Sequence, residues 1–188
     1  MKASNSYIFV LLAFSLGSCV STPEYPGRWA SGFPEMSARA DEKCDLTGSY
    51  TDSAEPAPNQ KASVPVSLFR LLFPDMQFSV DNTPDHISLY GPVAGELKVV
   101  AWRGSKVVET RLLRSLGCFK NGVVMINPGA EGWQGGFAVT FGAGAQDNFL
   151  YRGSDGWLIL KRNDLKVVVP WFDYETSWYR FRPVDSSQ

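Results

Sequence analysis

The 188-residue chain is poor in the side chains from which most enzyme and metal sites are built: it has one histidine, His86, and three cysteines. Any histidine-dependent mechanism would have to run through His86 alone, and one His with three Cys falls short of the closely spaced paired ligands of structural zinc. An excess of one charge is missing too, since 18 basic residues face 19 acidic ones, so no general field draws the chain to nucleic acid. No apolar run reaches the ~20 residues that a membrane-spanning helix requires. What is plentiful is apolar and aromatic material, 44% and 13% of the residues, enough to bury a core and to exclude wholesale disorder.

The amino terminus carries one charge, Lys2, followed by Tyr7-Ile8-Phe9-Val10-Leu11-Leu12-Ala13-Phe14-Ser15-Leu16. That run is too short to cross a bilayer and fits the apolar stretch of a secretory signal. Directly after it, Leu16-Gly17-Ser18-Cys19 resembles the lipobox of bacterial lipoproteins, with Leu three residues before the cysteine and small residues between. The resemblance implies cleavage after residue 18, a diacylglyceryl group on the Cys19 thiol and attachment to the membrane through lipid. Val20 stands where an aspartate commonly marks inner-membrane retention in that family, so the resemblance points to the outer membrane, facing the periplasm. The alternative is an ordinary signal peptide cut nearby, with Cys19 a free or paired thiol.

An exported chain meets an oxidising compartment, in which unpaired thiols are unusual. With Cys19 given to lipid, Cys44 and Cys118 remain as one disulfide pair, closing a loop of about 75 residues; the other state open to them is two buried thiols. Three segments follow: a signal peptide at 1–18, a lipidated cysteine and flexible tether at 19–43, and one β-rich domain at 44–188. Pro23, Pro26, Pro34, Gly27 and Gly32 mark the tether, whose root-mean-square reach, if flexible, is about 25 to 30 Å. Trp29 and Phe33 within it either dock on the domain, the commoner outcome for linker aromatics, or sit at the membrane interface.

Within the domain, strand signals recur at intervals of roughly ten residues. Leu97 to Leu113 reads as a hairpin about Gly104-Ser105, pairing Trp102 with Val107 and Leu97 with Leu112, which puts Leu97, Val99, Ala101, Val108, Thr110 and Leu112 on one face. Other strands are expected at His86–Tyr90, Val123–Asn127, Phe137–Phe141, Phe149–Arg152, Trp157–Arg162, Leu165–Val169 and Trp178–Phe181. Asn121-Gly122, Gly153 to Gly156 and Asn163-Asp164 read as turns. Ser67 followed by Leu68, Leu71 and Leu72 fits a short capped helix ending before Pro74, with a strand from Val64 as the alternative. The fold class is therefore mainly β, an antiparallel meander of eight to ten strands forming a small barrel or sandwich, with at most one short helix.

No catalytic residue, metal ligand or cofactor site is assigned. Gly-x-Ser-x-Gly, phosphate-loop and His-Glu-x-x-His patterns are missing, and Gly142-Ala143-Gly144 lacks the rest of a nucleotide fingerprint. His86 next to Asp85 is either an oriented base or a strand-end histidine. The carboxylates Glu109, Glu131, Asp155, Asp173 and Glu175 could include a hydrolytic pair. Aromatics are the more suggestive material: Trp133 in the glycine-rich run 128–136, with Trp171 and Trp178 in the last segment, are the candidate ligand-binding residues, while plugging barrel ends and covering sheet edges is the structural alternative for most of them, Trp133 being the best exception. The leading expectation is a lipid-anchored, non-enzymatic binding or structural module that takes an envelope protein, a glycan or a small apolar ligand, without nucleic acid. A carboxylate-dependent hydrolase of envelope glycans or lipids, and an inhibitor of a periplasmic enzyme, are the alternatives.

Overall fold

The computed structural model describes residues 25–29, 33, 44–58, 60, 65–76, 83–114, 116–119, 122–126, 142–168 and 171–184, with backbone alone for 142–145, 165–168 and 171–173. Ten strands are β1 (Gly48–Thr51), β2 (Glu55–Pro56), β3 (His86–Val93), β4 (Glu96–Arg103), β5 (Lys106–Leu113), β6 (Gly117–Cys118), β7 (Val124–Ile126), β8 (Gly142–Arg152), β9 (Leu158–Val168) and β10 (Trp171–Phe181). They form two antiparallel sheets, of four strands in the order β1-β3-β4-β5 and six in the order β2-β10-β9-β8-β7-β6. Among the described residues no closed barrel results. Pro56, which cannot donate to a ladder, lies on the edge strand β2.

Both sheets feed one core. Ile87, Leu89, Leu97, Val99 and Ala101 come from the four-stranded sheet, and Val124, Ile126, Leu150, Leu158, Leu160 and Phe181 from the six-stranded one. The same core takes in Leu68, Phe69, Leu71 and Leu72 of α1 (Leu68–Leu72), the helical alternative for this stretch. Ser67 caps it by accepting from the Arg70 N–H at 3.1 Å, and the Asp52 carboxylate accepts from the Phe69 N–H at 2.7 Å and the Ser67 hydroxyl at 2.9 Å. Burial holds the Asp52 carboxyl above its ordinary range against the pull of those two hydrogen bonds.

Gly48 is required where it stands, because a Cβ there would lie 2.6 Å from the Tyr50 hydroxyl. Its absence lets the buried Tyr50 ring fold back over the chain and donate to the Leu46 carbonyl at 3.2 Å. Cys44 and Cys118 form the disulfide, across 74 positions of sequence. At the other edge the sheets are stitched together by the Thr51 N–H donating to the Arg182 carbonyl and the Val184 N–H to the Ser49 carbonyl.

Two local expectations are corrected. The β4–β5 hairpin turns at Gly104-Ser105 and pairs Trp102 with Val107, but Ala101 then faces Glu109 and Leu97 faces Leu113 instead of Leu112. Val108 is the extra residue of a bulge. Val108 and Leu113 both pack on the core, while Leu112 points outward and is 44% exposed. The physical reason is visible at Arg111: the slip carries it opposite Val99 instead of Lys98, with its guanidinium 4.9 Å from the Phe73 ring and 2.6 Å from Asp75. A like-charge neighbour is exchanged for an ion pair and a ring.

Asn163-Asp164 is not a turn. β9 runs straight through it, because both neighbouring strands bond these side chains: Thr176 donates to Asn163 at 3.0 Å and Gln146 to Asp164 at 2.6 Å. The expected short strands 149–152, 157–162, 165–169 and 178–181 thus merge into three of 11 residues each. Gly122 does sit in a turn, at φ +77°, with its N–H on the Phe119 carbonyl. The expected strand Phe137–Phe141 and residues 1–24 lie outside the described residues.

Candidate functional site

The three long strands alternate, and around Trp178 both of their faces carry apolar residues. Leu150, Leu158, Leu160, Tyr179 and Phe181 turn to the core. The residues between them turn outward: Tyr151 opposite Ile159, Ile159 opposite Arg180, and Lys161 between Phe149 and Trp178. Such a face requires a cover, and the amino-terminal segment supplies it.

Tyr25, Trp29 and Phe33 pack on this outer face with Ile159 and Trp178, forming a second hydrophobic cluster separate from the main core. Tyr25 meets Trp178 edge-on at 5.2 Å between ring centroids, and Phe33 meets Trp178 at 4.9 Å and Tyr151 at 5.8 Å. Trp29 is 7% exposed and Trp178 5%. The two linker aromatics therefore dock on the domain, joined by Tyr25, whose contribution the sequence reading missed.

Cations frame the cluster. The Arg180 guanidinium lies between Trp29, at 5.3 Å, and Trp157, at 4.1 Å, and the Lys161 ammonium stands 5.4 Å from the Trp178 ring centroid. Glu55 of β2 holds the arginine in place, accepting from Arg180 at 2.9 Å and from Arg182 at 3.0 Å. Burial raises the Glu55 carboxyl, but the two guanidinium groups outweigh it and hold the group below its usual range. Burial lowers Lys161, and it pushes the Tyr25 hydroxyl up to about 12 with help from the nearby charge of Asp155.

The other sequence candidates fall apart in space. Trp178 is the centre of the covered face. Trp171 opens β10 opposite Val168, and its side chain lies outside the described residues, as do Trp133, Glu131 and Cys19. Glu109 is on β5, Asp155 in the β8–β9 turn, and Asp173 and Glu175 on β10. Among the described residues, the cross-strand carboxylate neighbour that emerges is Asp164, directly opposite Glu175, and Asp164 already accepts from Gln146.

His86 stacks on Trp102 across β3 and β4, with centroids 6.1 Å apart and planes 8° from parallel. Asp85 does not orient it: its carboxylate accepts from the Gly104 N–H and braces the hairpin turn. The Trp102 indole N–H donates to the Ser88 hydroxyl at 3.0 Å, which also meets Ser49 at 2.7 Å. Among the described residues, no three His, Cys, Asp or Glu side chains gather as a metal ion would need, and no helix is long and apolar enough to cross a membrane. The chain matches no protein-family model, no curated protein and no solved structure.

Proposed function

We propose that the protein is a lipid-anchored module of the bacterial cell envelope, held through Cys19 at the periplasmic face of the outer membrane and acting by binding or scaffolding. The Cys44–Cys118 disulfide carries this reading, because such a bond forms and persists in an oxidising compartment and leaves Cys19 as the one remaining thiol for lipid. Lipid supplies durable attachment, at about 0.8 kcal/mol for each buried methylene, once two or more chains are present. The aromatic face around Trp178 is covered by the chain's own Tyr25, Trp29 and Phe33, which supports a structural role for that face, and the proposed partner, an envelope protein, a glycan or a small apolar ligand, is taken by other surfaces of the domain.

Cells making the wild type and Cys19→Ala are grown with labelled fatty acid. Label enters the wild type and not the variant, and the variant is released by washing membranes; equal labelling of both overturns the anchor. Pull-down from solubilised envelopes, comparing the lipidated protein with a form lacking residues 1–19, then identifies the partner.

A further inference from the structure

The contacts that bury Trp178 also fix where the attachment point can be. Residue 19 is joined to Tyr25 by six residues, and a fully extended chain spans at most about 3.6 Å per residue, so residue 19 lies within about 22 Å of Tyr25 whatever path it takes. Tyr25 is held on the outer face of the six-stranded sheet by Trp178 and Trp29. The outer face of the four-stranded sheet lies beyond both sheets. To reach it, the chain would have to pass a core about 10 Å thick, two outer side-chain layers, and the rim of a sheet whose strands are spaced about 4.8 Å apart. That route exceeds the reach.

We infer that Tyr25 to Phe33 is an orienting strap: it confines whatever is attached at residue 19 to the side of the six-stranded sheet, and turns the outer face of the four-stranded sheet away from it. Without the strap, 25 residues would separate residue 19 from Cys44, and a chain of that length has a reach of about 25 to 30 Å in any direction, so either face could turn toward the anchor. The strap is equipped for the task on three counts. Tyr25 and Phe33 pack edge-on against Trp178, and Phe33 also against Tyr151; Trp29 meets Tyr25 edge-on and lies against the Arg180 guanidinium; and Arg180 is itself held by Glu55. The geometry holds for any group at residue 19. Only the identity of that group as membrane lipid rests on the function proposed above.

The test is therefore made without a membrane. Since Cys44 and Cys118 are bonded to each other, Cys19 is the one thiol of the full chain open to a nitroxide spin label. In the oxidised full-length protein in detergent, amide signals of Ile159 and Trp178 should lose most of their intensity to the label, while those of Val107, Thr110 and Leu112 on β5 keep theirs. In Tyr25→Ala/Phe33→Ala the contrast between the two sheets should disappear. Because the main core contains neither residue, its amide spectrum should stay dispersed in that variant and report that the domain is folded. Equal broadening of both sheets in the wild type, or a contrast that survives in a folded double variant, overturns the strap. Failure of Cys19 to take up fatty acid would sink the anchor and leave the broadening pattern unchanged, so the two ideas fail separately.

Discussion

Breaking the Cys44–Cys118 link tests how much of the fold depends on one covalent bond. The two cysteines are 74 positions apart, and the interval contains α1 and the strands β1 to β5. Closing a loop of that size restricts the unfolded chain by about 4.5 kcal/mol in the chain-entropy treatment. Domains of this size have only about 5 to 15 kcal/mol of stability in total, so the bond is a large share of the whole. Cys44→Ala/Cys118→Ala should lower the unfolding free energy by about 3 to 5 kcal/mol, which at a urea slope of about 2 kcal/mol per M moves the midpoint by roughly 2 M. Reducing the wild type should reproduce that change without altering a side chain. Denatured but unreduced full-length chain should meanwhile yield one reactive thiol from its three cysteines. A loss below about 1 kcal/mol in both experiments, or three reactive thiols, would refute the reasoning.

Two further perturbations discriminate between structural alternatives. Leu112→Lys should change stability by no more than about 0.5 kcal/mol, whereas Leu113→Lys should cost roughly 2 kcal/mol or more because it drives an ammonium toward the core; urea melts that rank the pair the other way would restore the regular hairpin and remove the bulge. Burial pushes the Tyr50 hydroxyl up to about 12. A phenol whose folded pKa is raised contributes stability that is intact below pH 10 and is lost as pH rises toward 12. The wild type should therefore weaken steeply over that window, and Tyr50→Phe should flatten the slope while losing the Leu46 hydrogen bond at neutral pH; an unchanged slope would place the titrating group elsewhere.

Much of the architecture was legible because turn residues and β-rich runs alternate along the chain. The Ser67 cap, the Gly104-Ser105 turn and the two-cysteine staple each rest on a local or arithmetic rule, and each is present. The failures share a cause, which is tertiary bonding that no local window contains. Asn163 and Asp164 look like turn formers, yet they are strand residues because Thr176 and Gln146 bond them from either side. The slip at Val108 is favoured by Phe73 and Asp75, more than 30 positions upstream of Arg111. The face around Trp178 was only half visible: there the sheet is covered on both sides, so the polar-out alternation of a wet sheet is missing locally, and the cover comes from a proline- and glycine-marked segment that reads as a tether. Tyr25 carried no signal of its own beyond being an aromatic in that segment.

The position of β10 also decides when the fold can be completed. This last strand lies inside the six-stranded sheet, between β2 and β9, and its Arg180 joins Glu55 across 125 positions of sequence. The residues just after it bridge to β1. A chain emerging amino terminus first therefore leaves β2 without its strand partner, β9 with a bare edge and the sheets unstitched until β10 and residues 182–184 have appeared. Closure across such separations is slow, since the entropy of a long loop is lost before the contacts form. On the proposed export route that delay is useful: the polypeptide stays threadable through a translocation channel until β10 has crossed, and a product truncated before Trp171 would be left open for proteolysis.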